Sequence, residues 1–282
     1  MAGAEPFGLN RRALLGAALA AGTGPAFAAA DGFAYDGRLE QGGYLVGRGP
    51  ARAEVLVDGQ PVGRASEHGL FVVGFDRDQA PLAEVTVRSA GGEVRRTVAV
   101  APVSYDIQRI DGLPQEQVAP TDPALLERIA REAKLKADAF ASVADTEDFR
   151  DGFAWPVQAT RISARFGGQR ILNGEPQRPH YGVDLAAREG AEITAPAPGL
   201  VVLAEPNLHF EGGLTLIDHG QGMVAAYLHQ SAQSVRTGDR VARGQAIGRV
   251  GQTGRATGPH LCWRLKWRGR NLDPSLMVRA RA

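Results

Sequence analysis

The chain has 282 residues, a formal net charge of +1 at pH 7 and a single cysteine. This length predicts about two domains, each large enough to form its own core, and one cysteine excludes a fold held together by intrachain disulfides. The balanced charge lacks the surplus of lysine and arginine by which proteins bind nucleic acid, so we expect no nucleic-acid partner.

The N-terminus resembles an export signal. Arg11 and Arg12 precede a run of small and apolar residues, and Ala26-Phe27-Ala28 fits the A-x-A pattern of a cleavage site. Paired arginines are typical of the twin-arginine route. We predict that residues 1–28 are a cleaved twin-arginine-like signal and that the mature chain is exported or periplasmic. Gly22-Thr23-Gly24-Pro25 interrupts the apolar run before about 20 residues accumulate, so we expect no membrane span in the mature chain.

Residues 31–105 show short strands of alternating pattern separated by turns. Ala53–Val57 runs into Asp58-Gly59, which is a hairpin signal, and Leu70–Gly74 reads as another strand. Strands of this length at intervals of about ten residues are typical of a β-sandwich. We predict an Ig-like accessory domain. Because no histidine, carboxylate or serine group converges in it, we expect it to be a spacer or docking module.

Residues 106–150 are predicted to form a linker that contains a helix at 123–144. Asp122 and Pro123 suit the N-cap and first turn, and apolar residues then recur every three or four positions. We expect this helix to lie on the following domain. Residues 151–282 return to short strands with frequent glycine and proline, which predicts a second β domain. The fold class is therefore mainly β.

The residues that could carry chemistry lie in the second half of the chain, in Pro179–Asp184, Ala226–His229 and Gly258–Trp263. On an extended strand His260 and Cys262 point to the same face, about 7 Å apart. On such a strand His180 and Asp184 would be about 13 Å apart. Donors to one zinc ion each lie about 2 Å from it, so these two residues can share an ion only if the chain bends between them. Gly182 permits that bend.

The motifs His180-x3-Asp184, Tyr227-Leu228-His229 and His260-x-Cys262 resemble those of the lysostaphin/LytM-type peptidases, the M23 zinc endopeptidases. The resemblance covers about residues 153–278 and includes further landmarks such as Thr194–Gly199. It implies an antiparallel β-sheet that holds one Zn²⁺ in an open groove. It also implies a hydrolase that cuts peptidoglycan stem peptides or their cross-links during cell-wall remodelling.

By position, the resemblance implies that His180 and Asp184 are zinc ligands and that His260 is the general base. It implies that His229 orients the attacking water or stabilises the oxyanion. The third ligand would be residue 262, which is histidine in the family and Cys262 here. A thiolate can bind zinc, but its charge leaves the metal less positive. We therefore expect an active enzyme with reduced activity and a pH optimum displaced upward.

Structural explanations of the same residues remain open. His180 and Asp184 could be a hydrogen-bonded pair, Cys262 a small buried apolar residue, and His229 a structural residue. We expect His219 to be a turn residue or a support for the site, and His209 to lie at the groove edge.

Two functional alternatives also remain open. The domain could be a catalytically inactive LytM-type module that binds the cell wall or division proteins and activates a separate amidase. Alternatively, Cys262 could be a nucleophile with His260 as its base, although this leaves His180 and Asp184 without a role. The chain lacks the H-E-x-x-H and G-x-S-x-G motifs, which argues against thermolysin-type proteases and serine hydrolases.

Overall fold

A computed structural model describes residues 33–111, 122–159 and 161–279. The predicted export signal lies outside these residues. Strands dominate the described part of the chain and are joined by one α-helix, which confirms the mainly-β fold class. None of the helices in these ranges combines the length and the apolar character that crossing a bilayer requires.

The N-terminal domain consists of two antiparallel sheets whose buried side chains belong to one cluster. The sheets have the strand orders β1-β2-β5 and β4-β3-β6-β7. Asp58 and Gly59 both have positive φ and form the predicted hairpin turn between β3 and β4. The strands are β1 (Ala34–Arg38), β2 (Tyr44–Arg48), β3 (Glu54–Val57), β4 (Gln60–Arg64), β5 (Leu70–Gly74), β6 (Leu82–Ser89) and β7 (Gly92–Ala99).

Helix α1 (Pro123–Phe140) begins where the sequence predicts but ends four residues before the predicted 144. Asp122 caps it by accepting a hydrogen bond from Ala124 N at 3.1 Å. Beyond the helix, Ser142 Oγ and Ala144 N each donate to the Asp218 carboxylate at 2.7 Å. The helix ends early because Ser142 and Ala144 hydrogen-bond to this buried carboxylate, and a further helical turn would break these hydrogen bonds.

The C-terminal domain is built on a ten-stranded sheet with the central order β17-β14-β15-β16-β19-β12-β9. A separate small sheet contains one parallel pair, β8 with β10. The strands are β8 (Ile107–Ile110), β9 (Arg161–Ala164), β10 (Gln169–Leu172), β11 (Glu175–Pro176), β12 (Val183–Ala186), β13 (Glu192–Thr194), β14 (Gly199–Leu208), β15 (Gly212–Asp218), β16 (Met223–Gln233), β17 (Arg240–Val241), β18 (Ala246–Val250), β19 (His260–Trp267) and β20 (Arg270–Leu272). A short 3-10 helix, Pro274–Met277, follows.

The two domains are joined through a common core rather than closed separately. Gly74 at the end of β5 packs against the Trp267 and Leu272 side chains, and Arg270 Nη1 donates to Gly74 O at 2.9 Å. Buried residues from both domains form one continuous apolar cluster. The two domains are thus in direct contact, because β5 of the sandwich packs on β19 and β20.

Helix α1 lies on the C-terminal domain. Lys136 Nζ is 2.6 Å from Glu211 Oε1, and Arg128 Nη2 donates to Asn207 O at 2.8 Å. The apolar side of the helix faces an open cleft of about 1700 Å³ through Ile129, Ala133 and Phe140. The helix thus forms a wall of that cleft.

Candidate metal centre

The floor of the cleft is formed by the neighbouring strands β12 and β19. Asp184 lies directly opposite Cys262 in the antiparallel ladder, and Ala186 lies opposite His260. Because side chains alternate along a strand, His260 and Cys262 share one face, as the sequence predicts. Leu261 and Trp263, which alternate with them along the strand, are fully buried in the core on the other side.

His180 reaches this floor from residues 165–181, which we call the strap. Gly167 N donates to His180 O at 2.8 Å, and His180 N donates to Gly168 O at 2.7 Å, so the strap folds back on itself. The predicted bend between His180 and Asp184 is present. Gly182, however, does not have the left-handed φ by which glycine permits a tight bend. It is needed for space, since a Cβ there would lie 2.7 Å from Arg264 Cγ.

The donor atoms of His180, Asp184 and Cys262 converge on one point. His180 Nε2 lies 3.1 Å from Asp184 Oδ1 and 3.4 Å from Cys262 Sγ, and all three donors lie within 4.8 Å of one another. Donors arranged tetrahedrally around one zinc ion are about 3.3–3.6 Å apart. Asp184 Oδ1 is buried and accepts no hydrogen bond of good geometry. A zinc ion fits these donors and would satisfy that oxygen.

The charges of the cluster also favour a cation. Burial lowers the pKa of His180, but the adjacent Asp184 carboxylate and Cys262 sulfur outweigh burial and raise that pKa to about 10. Burial raises the pKa of Asp184, but His180 outweighs it, so the net shift is downward. The carboxylate and the sulfur therefore favour a positive charge where the three donors meet. A divalent cation bound there would provide that charge.

His229 and His260 stand side by side at the edge of the cluster, with ring centroids 4.8 Å apart. His229 Nδ1 lies 2.8 Å from Thr253 O, and His260 Nδ1 lies 2.8 Å from Gly258 O. A carbonyl can only accept, so each neutral ring carries its proton on Nδ1 and leaves Nε2 as an acceptor. His260 Nε2 lies 3.8 Å from Asp184 Oδ1.

The backbone at His229 is unusual. Its φ is +64°, which few residues other than glycine adopt, and it lies where the register between β15 and β16 shifts. Such irregularities redirect a side chain next to functional sites. Burial lowers the pKa of His229, so its ring is neutral at neutral pH.

Arg264 is the residue of the site that sequence reasoning missed. Its Nε donates to Cys262 Sγ at 3.4 Å. Arg264 shares the parity of His260 and Cys262 along β19, so the period-2 pattern could have placed it on the same face.

The other histidines lie outside the cluster. His219 is fully buried, and its Nδ1 lies 2.6 Å from Pro198 O at the turn after β15. His209 is half-buried beside Phe210, which lines the cleft. These placements agree with the turn and groove-edge positions expected from the sequence.

Comparisons with known proteins point to one family. The family model described as peptidase family M23 matches residues 178–274, which include all five predicted site residues. The DD-endopeptidase ShyA of Vibrio cholerae is 40% identical over 122 residues, covering 42% of this chain and 28% of ShyA. The DD-carboxypeptidase/endopeptidase Mpg of Neisseria meningitidis is 36% identical over 119 residues, covering 42% of this chain and 27% of Mpg. The chain thus spans less than a third of the length of these relatives.

A solved structure extends the likeness to both domains. A crystal structure from Pseudomonas aeruginosa assigned to peptidase M23 is 29% identical and superposes with a TM-score of 0.67, covering 85% of this chain and 95% of that one. Together with the sequence matches, this shows that residues 178–274 form a domain of peptidase family M23.

Proposed function

We propose that the protein is a zinc-dependent endopeptidase that hydrolyses peptide bonds of peptidoglycan stem peptides or their cross-links. The observation that carries this proposal is the convergence of the His180, Asp184 and Cys262 donors beside the paired rings of His229 and His260 in an open cleft. The relatives that are named as DD-endopeptidases support the substrate class. When bound, zinc would supply the Lewis acid that polarises the scissile carbonyl and activates water.

The two histidines divide the remaining tasks. His260 Nε2 is an acceptor near Asp184, so it can take the proton of the attacking water as general base. His229 Nε2 is likewise an acceptor, because its Nδ1 proton is held by Thr253 O. Of the two roles expected for His229, its tautomer favours orienting the water, since a neutral Nε2 cannot donate to an oxyanion.

The cleft suits a flexible, charged peptide. It has a volume of about 1700 Å³ and is lined by basic side chains that include Arg178 and Arg255. Stem peptides carry carboxylates, which such side chains attract. The export signal predicted at residues 1–28 would deliver the protein to this substrate in the periplasm.

The inactive alternative rests on Cys262 alone, since His180, Asp184, His229 and His260 keep a usable geometry. The nucleophile alternative meets a steric obstacle. Cys262 is only 1% exposed and lies on the cleft floor between Asp184 and Leu228 of the neighbouring strands. A sulfur buried in this way is poorly placed to attack a peptide carbonyl.

The decisive experiment measures zinc content and hydrolysis together. We expect about one zinc per chain and cleavage of purified muropeptides, followed by mass spectrometry, with both lost in Asp184→Asn. Asp106→Asn is the matched control because Asp106 lines the same cleft without contacting the donors. A zinc-loaded protein that cleaves no muropeptide but stimulates a separate amidase would instead establish the inactive alternative.

A further inference from the structure

Arg264 is a charged side chain to which the proposed mechanism assigns no role. It lies on the same face of β19 as His260 and Cys262, and its Nε donates to Cys262 Sγ at 3.4 Å. Two carboxylates, Asp184 and Glu211, also act on its charge. Glu211 is already paired with Lys136 Nζ at 2.6 Å, so the sulfur is the partner that fixes the direction of the guanidinium.

The neighbouring strand is shaped to accept this contact. Gly182, just before β12, leaves the space that the Arg264 stem occupies. A Cβ at residue 182 would lie 2.7 Å from Arg264 Cγ and 3.3 Å from Cys262 Sγ. The arginine can therefore lie flat against the backbone and turn its Nε back to the sulfur. The contact is built from two strands and does not depend on a freely moving surface side chain.

The hydrogen bond from Arg264 to Cys262 also changes the total charge around the three metal ligands. A neutral imidazole, a carboxylate and a thiolate together cancel the charge of Zn²⁺, whereas two imidazoles and a carboxylate leave one positive charge. A guanidinium hydrogen-bonded to the sulfur returns one positive charge to the site. It also draws electron density from the sulfur, which hydrogen bonds to metal-bound sulfur are known to do.

We propose that Arg264 is a positioning residue for Cys262: its hydrogen bond orients Sγ toward the metal and offsets the negative charge that the thiolate adds. This inference rests on the zinc site of the proposed function. It assigns to Arg264 and Gly182 the task of making a cysteine acceptable at the third ligand position. The expected consequence is that the metal–sulfur bond responds to changes at Arg264.

Cobalt substitution of the full chain tests this directly. Co²⁺ bound by a thiolate shows a sulfur-to-metal charge-transfer band in the near ultraviolet, and Cys262→His should abolish it. A hydrogen bond stabilises the sulfur lone pairs and raises the energy of this transition. Arg264→Met should therefore move the band to longer wavelength. Arg264→Lys, which keeps the charge, should move it less.

Lys266→Met is the matched control. Lys266 lies on the same strand and face as Arg264, is also cationic, and contacts Phe140 instead of the sulfur. Its removal should leave the band unchanged. If Arg264→Met keeps a native circular dichroism spectrum but loses cobalt while Lys266→Met retains it, the positioning role is supported as well.

Two results would overturn the inference. One is a band at the wild-type wavelength in both Arg264 variants, and the other is a wild-type cobalt protein without any such band. Because no substrate is used, failure is separable from failure of the proposed function. If the wild type cleaves muropeptides while the Arg264→Met band stays at the wild-type wavelength, only the role of Arg264 is contradicted.

Discussion

At the proposed zinc site, Cys262 and Arg264 are expected to have opposite effects on the charge around the metal. Considered alone, the cysteine reduces the positive charge of the site, from which we expect a higher pH optimum. Arg264 donates to its sulfur at 3.4 Å and opposes that effect. The pH optimum of the wild type should therefore lie only slightly above that of Cys262→His. Replacing Arg264 by an uncharged residue should raise the optimum further.

His219 makes the stability of the protein sensitive to acid. Burial lowers its pKa from 6.5 to about 4, because a proton on the buried Nε2, which has no partner, would be unsatisfied. The unfolded chain binds this proton below pH 6.5 and the folded chain only below about pH 4. The contribution of His219 to stability is therefore complete above pH 6.5 and is lost as the pH falls toward 4. Between pH 6.5 and 5 the loss is about 2 kcal/mol.

Urea unfolding at several pH values measures this loss. In His219→Gln the amide can still donate to Pro198 O, but it does not titrate, so its unfolding free energy should fall less steeply over that interval. His209→Gln removes a histidine that is only half-buried and should keep the wild-type slope. Equal slopes for wild type and His219→Gln would show that His219 does not cause the acid sensitivity.

Several site residues could be named from the sequence because each lies in a short local motif. The structure brings His180, Asp184, Cys262, His229 and His260 together, although their roles remain proposals. What the sequence could not show is contact between distant segments. The Arg264 hydrogen bond depends on space left by Gly182 on another strand, which a periodic pattern does not encode.

The secondary-structure elements also differ in whether local sequence or a distant contact determines them. The start of α1 was predictable because an N-cap signal is local, and Asp122 indeed caps the helix. Its end was not, because it is set by the Asp218 carboxylate, about 75 residues away in sequence. The strap presents a similar case. Its fold depends on the N-terminal domain, where the Arg77 guanidinium donates to Gly167 O at 2.9 Å.

Arg77 should therefore influence metal binding from another domain. It is buried and stacks on Tyr105, whose ring packs against Gly167, and Gly167 N in turn donates to His180 O. Removing this support should let His180 move relative to Asp184. We expect Arg77→Met to weaken zinc binding by about 10-fold or more, as loss of supporting contacts commonly does. Competition with a chromophoric chelator measures the change.

The control for this experiment is Arg88→Met. Arg88 belongs to the same domain but forms exposed ion pairs with Glu54 and Glu93, far from the strap in the sheet order. Its replacement should leave zinc affinity unchanged. If the affinity of Arg77→Met equals that of Arg88→Met, the accessory domain does not support the metal site through this contact.

At the scale of the whole molecule, the sandwich, which the sequence predicts to be a spacer or docking module, also packs closely on the C-terminal domain. Gln221 of the C-terminal domain donates to Leu70 O of β5, in addition to the packing of Gly74 on Trp267 and Leu272. The match to the Pseudomonas aeruginosa structure covers 85% of this chain, so the likeness extends beyond the C-terminal domain. A binary pattern predicts which strands are apolar, but not that the apolar faces of two domains meet.

A common core predicts that the two domains unfold together. Leu272 is 1% exposed and packs against Gly74 at the junction, so Leu272→Ala should reduce the unfolding free energy by about 2–5 kcal/mol. The unfolding free energy measured for the sandwich and that measured for the C-terminal domain should fall by the same amount. All three tryptophans lie in the C-terminal domain and report on it by fluorescence, while hydrogen exchange of the β6 amides reports on the sandwich. One transition should be seen by both probes.

Leu82→Ala provides the comparison, because Leu82 is 60% exposed on β6 and its truncation should change stability little. Suppose instead that tryptophan fluorescence shifts in Leu272→Ala while the β6 amides keep their wild-type protection. The domains would then be thermodynamically independent, and the sandwich could be removed without exposing the core beneath the metal site. Coincident shifts mean that removing the sandwich uncovers Trp267 and Leu272, so a chain truncated in this way should lose stability of its C-terminal domain as well as the support that Arg77 gives to the strap.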